Sequence, residues 1–311
     1  MRLISFRHNN EPDVGVMVDD TGFVALSRVL PAAPKTLKGL LEQGELGLRR
    51  VTAAVKGRKA DFRLDQVSLD PVIPDPQVIW ALALNFKAHI EETGLETSKV
   101  HPHIFNRMPC SQVGHLQPIL CPDLSVAKAF DYEAELAVVI GKAGRYIPLD
   151  KALEHVAGYS CYNEGSIREY QGHNRHFGLG KNFEKSGSFG PWLMTRDEFG
   201  DVAKHTVIAR LNGVEKQSST LGDMLFSVEQ VIHYLSQGYS LKPGDVICMG
   251  TPGAIKPPPG YKPGPNDSPR MPGRTYMRPG DVCEIEITGL GVLRNPIEAD
   301  PMVASKQAAP K

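Results

Sequence analysis

The chain has 311 residues, in which 35 lysines and arginines balance 35 aspartates and glutamates. This length suits one large domain, or a main domain with a smaller one attached, and a hydrophobic content of 41% is ample for a sizeable core. Because the net charge is zero and like charges form no blocks, neither nucleic acid nor an anionic membrane surface is an expected partner.

The sequence also bears on the compartment. Residues 1–10 lack the apolar core that a signal peptide needs, and no segment approaches the roughly 18 continuous apolar residues of a membrane helix. The five cysteines are odd in number and widely spaced, with no CxxC pair, which favours reduced thiols over a disulfide framework. We therefore expect a cytoplasmic protein with no membrane partner.

Residues 1–70 are predicted to form a small N-terminal α/β domain. Short apolar runs between polar turns predict strands at residues 3–7, 14–18 and 23–25. An irregular helical spacing of leucines predicts a helix over residues 36–55. A proline-rich connector at residues 71–76 then leads into the rest of the chain.

Residues 71–311 are predicted to form the catalytic domain, in which strands dominate. Apolar runs predict buried strands at residues 78–84 and 136–141. Residues 87–93 form a helix-compatible stretch, and helical spacing predicts a helix at residues 227–237. Two Pro-Gly-Asp turns are each followed by a further strand. Many short strands with few long helices indicate an α+β, predominantly β fold built on a mixed sheet or roll.

Residues 256–274 are rich in proline and glycine, which excludes a helix or a central strand there. Two interpretations stay open. The segment is either a solvated linker, or a lid or rim loop beside an active site. The second interpretation arises because the segment closely follows Gly250-Thr-Pro-Gly253 and because ordered loops of this length are often functional.

Glu133 and Glu135 are the first candidate site residues, and they precede an apolar run that starts at Leu136. Residues two apart in a strand project from the same face, and burying two neighbouring carboxylates is costly unless a cation or a proton compensates. A hard divalent metal such as Mg²⁺ or Mn²⁺, which prefers oxygen ligands, would compensate them. On spacing alone, ordinary acids on a solvated strand are the commoner case.

A second group of candidates follows the apolar residues 156–162. Glu164 stands at a Gly-Ser turn, after which Arg168 and Gln171 lie three residues apart on one helical face. Glu164 could supply a third carboxylate to the same metal, or it could be a helix-entry acid. Arg168 could orient that carboxylate or bind an anionic substrate, because its planar fork matches carboxylate geometry.

Two further candidates carry proton-transfer or cationic chemistry. His89 and Glu92 are three residues apart, hence adjacent on a helix turn. A carboxylate that holds a histidine raises its basicity for proton abstraction, although such pairs are more often surface ion pairs. Lys181, which follows Gly-Leu-Gly, could offer a compact cation to an oxyanion or a carboxylate, or be one of many exposed lysines.

Taken together and in order, these motifs resemble the fumarylacetoacetate hydrolase family across about residues 75–297. The family's E-x-E metal motif is matched at Glu133 and Glu135 within DYEAELAVVIGK, and its third ligand falls on Glu164 within GYSCYNEGSIREYQ. NFKAHIEE matches its His-Glu lid segment, and the family lysine falls on Lys181. DMLFS, PGDVICMGTP and the closing Pro-Gly-Asp to Asn-Pro tail match its remaining signatures.

The match has four departures. Glu164 stands where the family usually has Asp, and Glu169 stands where Asp usually follows the arginine. Met249 replaces the usual Thr before Gly-Thr-Pro, and the segment 256–274 is longer than usual. A Glu is one methylene longer than an Asp and metal–oxygen distances tolerate only tenths of an ångström, so the backbone at residue 164 must adjust to a metal.

The resemblance implies the family fold, a mixed β-roll with a small N-terminal α/β domain, and a homodimer. It implies a Mg²⁺ or Mn²⁺ site formed by Glu133, Glu135 and Glu164. It further implies a hydrolase that cleaves a C–C bond in an acylpyruvate or another 1,3-diketo or 2-oxo acid, as in aromatic catabolism, through a metal-stabilised enolate.

The resemblance also assigns roles to the other candidates. His89, oriented by Glu92, would activate water, with Lys181 as a further catalytic residue. Substrate oxygens or a carboxylate would be positioned by Arg168, Gln171 and Thr251. Two alternatives remain: a decarboxylase or an isomerase or hydratase acting on oxaloacetate-like or dienoate 2-oxo acids, and a non-catalytic binding protein that kept the fold.

Overall fold

The computed structural model describes residues 1–94, 100–174, 176–269, 271 and 273–303. Its α-helices are α1 (Leu26–Val29), α2 (Leu37–Glu42), α3 (Gly44–Val55), α4 (Lys87–Thr93), α5 (Arg168–Gln171), α6 (Arg196–Phe199) and α7 (Val228–Gly238). Its strands are β1 (Arg2–His8), β2 (Glu11–Met17), β3 (Gly22–Ala25), β4 (Phe62–Arg63), β5 (Ser68–Leu69), β6 (Ile79–Ala83), β7 (His103–Arg107), β8 (Gln112–Val113), β9 (Ile119–Cys121), β10 (Phe130–Asp131), β11 (Ala134–Ile140), β12 (Val156–Asn163), β13 (Ser166–Ile167), β14 (Gly187–Thr195), β15 (Thr206–Leu211), β16 (Val214–Thr220), β17 (Val246–Cys248), β18 (Val282–Ile287) and β19 (Gly291–Ala299).

The strands form mixed sheets, which confirms the predominantly β prediction. The main sheet has 12 strands and runs β4-β3-β2-β1-β14-β12-β11-β17-β6-β7, with β5 added to β1 and β8 to β14. A second sheet runs β16-β15-β18-β19-β9, and β10 pairs with β13. Most pairs are antiparallel, whereas β17 with β6, β8 with β14 and β9 with β19 are parallel. Among the described helices, none is long and apolar enough to cross a membrane.

The N-terminal strands continue the main sheet. β1 pairs antiparallel with β14, in the register Arg2↔Met194 and Leu3↔Leu193. The sheet is therefore continuous across residue 70, and the division into domains of residues 1–70 and 71–311 stays a prediction.

The single helix predicted over residues 36–55 is wrong, because two helices meet there. α2 ends at Glu42 and α3 begins at Gly44, which has a φ of +61°. Glycine adopts this left-handed conformation without the steric cost of a side chain. Apolar residues keep a helical spacing on both sides of the break, so the spacing alone does not reveal it.

Strand β11 is buried on both faces, because apolar layers cover both sides of the main sheet. Leu136 and Val138 belong to the core cluster that includes the second sheet and α7. Ala137 and Val139 belong to the cluster that includes α2 and α3. Successive side chains of a strand alternate between faces, so Glu135 points to the same side as Ala137.

The proline-rich segment contains no helix or strand in its described residues, which confirms that it is a loop. Its middle, residues 258–265, is exposed, but Ser268 and Arg274 are buried, with exposed fractions of 4% and 1%. Gly273 has a φ of +93°, and a Cβ there would lie 2.3 Å from the carbonyl oxygen of Ile255. Since the end of the segment packs into the body of the protein, the solvated-linker interpretation is wrong for that end.

Candidate metal centre and catalytic cavity

A cavity of about 430 Å³ gathers most of the candidate residues. Those predicted from the sequence that line it are His89, Glu133, Glu135, Glu164, Arg168, Gln171, Lys181 and Thr251. The remaining candidate, Glu92, contacts His89. The cavity also has an apolar wall, which includes Leu82, Leu84, Phe105, Phe177 and Met271. The two interpretations of the proline-rich segment are thereby decided, because Met271 places the segment at the cavity as a rim loop.

The three glutamates come together through the pairing of β11 with β12. Glu133 directly precedes β11, Glu135 lies within it, and Glu164 directly follows β12. The antiparallel register Ala134↔Asn163 brings these positions side by side. Each glutamate offers one carboxylate oxygen, and these oxygens lie within 4.8 Å of one another. All three side chains are buried, so the solvated-strand alternative is wrong.

Burial and mutual repulsion act unequally on these acids. Burial, together with the charges of Glu164 and Glu133, raises the pKa of Glu135 well above its usual range. Burial also raises the pKa of Glu164, against the opposing charge of Lys181. Burial alone would raise the pKa of Glu133 too, but the charges of Arg168 and Lys181 bring it well below its usual range. The three acids can therefore ionise together only at a cost, because Lys181 and Arg168 compensate their charges only in part.

Lys181 and Arg168 supply that compensation. The Nζ atom of Lys181 donates to Oε2 of Glu133 and to Oε2 of Glu164, the latter at 2.5 Å. Arg168 Nη2 donates to Oε1 of Glu133 at 2.6 Å, and its Nη1 donates to Gln171 at 2.7 Å. Because Arg168 already binds Glu133, the structure favours an orienting role for it over direct capture of an anionic substrate.

The donor set fits a hard divalent cation. Among the described residues, Oε1 of Glu135 and Oε1 of Glu164 have no hydrogen-bond partner although both are buried. Oε1 of Glu164 has only a distant ion pair, at 3.8 Å from Arg107 Nη1. Buried carboxylate oxygens without partners are costly, and an all-carboxylate oxygen set is what Mg²⁺ and Mn²⁺ prefer. Glu133, Glu135 and Glu164 are therefore the residues that would hold the metal.

The His89–Glu92 pair lies on the short helix α4. Nδ1 of His89 is 2.9 Å from Oε2 of Glu92, which leaves Nε2 as the basic nitrogen of a neutral ring. Burial would raise the pKa of Glu92, but its contact with His89 and the charge of Arg274 lower it overall. Glu92 therefore stays ionised and can stabilise a protonated His89. This geometry suits a general base.

Two supporting contacts beside the site were not predicted from the sequence, one of Gln217 and one of Glu169. Gln217 donates to Thr251 Oγ1 at 2.9 Å and to the carbonyl of Pro252 at 2.7 Å, which fixes the Gly-Thr-Pro turn. Glu169 accepts the backbone N–H groups of Lys128 and Ala129, at 2.8 and 2.9 Å, and so fixes the chain that leads into β10. A single Gln in an exposed strand pattern gives no signal for such a role.

A buried ion network below the glutamates also escaped sequence reasoning. Oδ2 of Asp131 accepts from Arg168 Nη2 at 2.6 Å and from Arg274 Nη1 at 2.8 Å. Arg107, 2% exposed, donates to the carbonyl of Gly165 at 2.9 Å, directly after Glu164. Arg107 and Arg274 come from distant parts of the chain, so no local sequence pattern predicts that they lie beside these acids. Asp131 was visible only as the first letter of the DYE motif.

The chain is similar to known proteins over most of its length. The sequence model described as fumarylacetoacetate (FAA) hydrolase C-terminal matches residues 78–298. The chain is 32% identical over 305 residues to the mitochondrial oxaloacetate tautomerase fahd2 of Xenopus laevis, covering 96% of this chain and 90% of the relative. It is 30% identical over 304 residues to the oxaloacetate tautomerase YisK of Bacillus subtilis, covering 93% and 97%. The solved fumarylacetoacetate hydrolase of Exiguobacterium antarcticum superposes with a TM-score of 0.77 at 29% identity, covering 96% of this chain and 100% of that one.

Proposed function

The chain belongs to the fumarylacetoacetate hydrolase family, and from that premise we propose that it interconverts the keto and enol forms of an oxaloacetate-like 2-oxo acid. The observation that carries the proposal is the His89–Glu92 pair on the same cavity as the three carboxylates. Keto–enol interconversion needs only a metal-polarised carbonyl and one base, and this cavity offers residues for both. The names of the Xenopus and Bacillus relatives support this choice over C–C hydrolysis, our first prediction, which is not confirmed.

The residues divide the work between charge and proton transfer. A divalent metal held by Glu133, Glu135 and Glu164 would supply Lewis-acid stabilisation of negative charge on the substrate oxygens. His89 accepts the proton from the carbon next to the keto group at Nε2, and Glu92 stabilises the imidazolium that results. The C–H bond breaks and an O–H bond forms: the enolate oxygen takes a proton from water, and the His89 imidazolium returns its own proton to water, so no atom is added to or lost from the substrate.

The remaining polar residues orient the substrate. Three residues line the cavity with polar groups: Thr251 offers a hydroxyl, Gln171 an amide and Lys181 an ammonium group. Arg168 fixes Glu133 and Gln171 through its donated hydrogen bonds. Positioning of this kind converts binding energy into correct geometry at the reacting carbon.

C–C hydrolysis of an acylpyruvate is the second candidate, and one observation favours it. The wall formed by Leu82, Phe105, Phe177 and Met271 is apolar, and it would suit an apolar acyl group better than a carboxylate. The Exiguobacterium structure is named as a hydrolase. In that reaction His89 would activate water instead of taking a carbon-bound proton.

Three further expectations belong to this proposal. The metal is Mg²⁺ or Mn²⁺, since both prefer carboxylate oxygens. The protein is a homodimer, as the family resemblance implies. Its location is cytoplasmic, as the sequence predicted, although the name of the Xenopus relative carries the word mitochondrial.

One assay separates the candidate functions. The purified protein, stripped of metal with EDTA and reloaded with Mg²⁺ or Mn²⁺, is given enol-oxaloacetate, keto-oxaloacetate and a series of acylpyruvates. We expect metal-dependent acceleration of enol–keto conversion without release of pyruvate or CO₂. Cleavage of the acylpyruvates, with no acceleration of the enol–keto step, would make the hydrolase reading correct. Metal binding with no turnover of any substrate would favour the binding protein.

A further inference from the structure

Arg274 is a buried cation at the end of the proline-rich segment 256–274, and it is only 1% exposed. Its Nη1 donates to Oδ2 of Asp131 at 2.8 Å, and its Nε lies 3.6 Å from Oε1 of Glu92. A buried guanidinium is costly unless carboxylates compensate its charge. Asp131 and Glu92 are the carboxylates with which it forms ion pairs in the described part of the chain. Arg274 therefore joins the network below the metal-site glutamates to the partner of His89.

The two carboxylates depend on Arg274 to different degrees. Oδ2 of Asp131 also accepts from Nε and Nη2 of Arg168, at 2.9 and 2.6 Å. Asp131 therefore stays paired with Arg168 when Arg274 is removed. The other described contacts of Glu92 are His89 and the backbone N–H of Ala254, at 3.3 Å. Arg274 is thus the one permanently charged cation that faces Glu92 among the described residues. Its removal should disturb Glu92 more than Asp131.

The segment is built to deliver this side chain. Ser268 N–H donates to the carbonyl of Arg274 at 2.8 Å, and Arg274 N–H donates to the carbonyl of Met271 at 3.2 Å. Gly273 provides the left-handed turn that lets the chain pass within contact of Ile255. The rim of the cavity and the anchor of the proton-transfer pair are therefore parts of one folded loop.

We propose that Arg274 is a positioning residue for proton transfer. It holds the Glu92 carboxylate, and through Glu92 the His89 ring, at a fixed place relative to the carboxylates of the metal site. This inference rests on the function proposed above for the His89–Glu92 pair. It gives the proline-rich segment a catalytic purpose, because folding of the segment and orientation of the base become one event.

The test compares Arg274→Met with Arg274→Lys and with a matched control, Arg278→Met. Arg278 holds the same loop, since it donates to Asn266, to the carbonyl of Met277 and to the carbonyl of Lys128. Among the described residues, its side-chain contacts include neither Glu92 nor Asp131. The control therefore loosens the loop while it leaves the ion pairs of Arg274 in place. Lysine keeps the charge of Arg274 but has a single nitrogen, so it cannot reproduce both contacts.

Three quantities are measured on the full chain: solvent exchange of the methylene protons of oxaloacetate, the Kd for Mn²⁺, and the ¹⁵N shifts of the His89 ring. We expect Arg274→Met to lower kcat for exchange about 10- to 100-fold, the usual effect of losing a residue that orients the groups of a metal site. KM and the Mn²⁺ Kd should change little, and the His89 ¹⁵N shifts should move. Arg274→Lys should fall between this variant and the wild type, and Arg278→Met should stay close to the wild type.

A double-mutant cycle with Glu92→Gln tests the route of the effect. If Arg274 acts through Glu92, Arg274→Met causes no further loss in the Glu92→Gln background. Equal losses in Arg274→Met and Arg278→Met, or losses that multiply in the double variant, would overturn the proposal. If the wild type shows no exchange at all, the proposed function fails. The ¹⁵N shifts then still decide the positioning role, because unchanged His89 shifts in Arg274→Met and Arg274→Lys would refute it.

Discussion

The two sides of the cavity are built in different ways. The carboxylate side lies on and directly beside β11 and β12, neighbours in the main sheet that stay in register from Ala134↔Asn163 to Val139↔Gly158. The base side lies on α4, a short helix, and on the rim loop that carries Met271 and Arg274. A strand ladder fixes side chains more firmly than a helix of seven residues held by a few ion pairs. The sheet therefore sets which metal binds and where, whereas the helix and the rim loop set how the proton is transferred.

The largest expected effect comes from the carboxylate side. Glu135→Gln keeps the shape of the side chain and removes one anionic ligand. Loss of a residue that only hydrogen-bonds to a metal ligand weakens metal affinity by up to roughly 100-fold. Because Glu135 would be a ligand itself, we expect the Mn²⁺ Kd to rise by more than this, and metal-dependent activity to disappear. Calorimetric titration with Mn²⁺ measures the affinity, and Glu169→Gln, which changes an acid outside the cavity lining, is the control. An undiminished affinity in Glu135→Gln would remove this residue from the ligand set.

A change on the base side should separate catalysis from metal binding. In His89→Ala the base is lost while the three glutamates are untouched. We expect the turnover rate to fall by about 10²- to 10⁴-fold with the Mn²⁺ Kd unchanged. His103→Ala is the matched control, since His103 also lines the cavity. Full activity of His89→Ala, or equal losses in the two variants, would show that His89 is not the base.

The same two sides differ in how far the sequence predicts them. Strand alternation, which is a local property, predicts that Glu133 and Glu135 project from one face. In the structure Glu133 lies just before β11 and not within it, yet one carboxylate oxygen of each glutamate lies within 4.8 Å of the other. Glu164 lies beside these two residues because β11 pairs with β12. The sequence predicted its place in the metal site only through the family resemblance. α4 was predicted at the bounds that the structure has, because its helical signal is also local.

Long-range contacts were beyond the reach of the sequence. Arg274 and Asp131 are 143 positions apart in the chain, and nothing in a proline-rich composition states which residue of the loop is buried. Gln217 reaches Thr251 from another sheet for the same reason. The broken helix at Gly44 is a different kind of miss. A glycine inside a helical pattern lowers helix stability and often marks an end, so this break could have been predicted.

A smaller effect is expected at the apolar wall. Phe177 lines the cavity, has a left-handed φ of +57°, and contacts the rings of His103 and Phe105 with centroid distances of 5.4 and 5.5 Å. Phe177→Ala enlarges the apolar end, so we expect kcat/KM for long-chain acylpyruvates to change by about tenfold relative to oxaloacetate. The ratio between the substrates is its own control for general damage. An unchanged ratio would mean that this wall does not contact the substrate.

The smallest expected effect concerns the stability of the metal-free protein. The pKa values of Glu135 and Glu164 are raised in the folded state, so these groups bind protons more readily there than in the unfolded chain. Their contribution to stability is therefore greatest below the usual carboxyl pKa of 4.5 and is lost as the pH rises through the raised folded values. Glu133, whose pKa is lowered, works in the opposite sense and loses its contribution only as the pH falls below that usual value.

Between about pH 5 and about pH 8, the loss of stability from Glu135 and Glu164 should dominate the pH dependence of this site. In EDTA, the Tm of the wild type relative to Glu135→Gln should fall as the pH rises, by about 2–4 °C for each kcal/mol of lost stability. Gln at position 135 cannot ionise, so the variant lacks this contribution, and Glu169→Gln should follow the wild type. Saturating Mn²⁺ should reverse the decline in the wild type alone, because a ligand that binds only the folded state stabilises it. Parallel Tm profiles for the wild type and Glu135→Gln would mean that the repulsion at Glu135 is already relieved without a metal, and that Lys181 and Arg168 are enough to neutralise the carboxylate side.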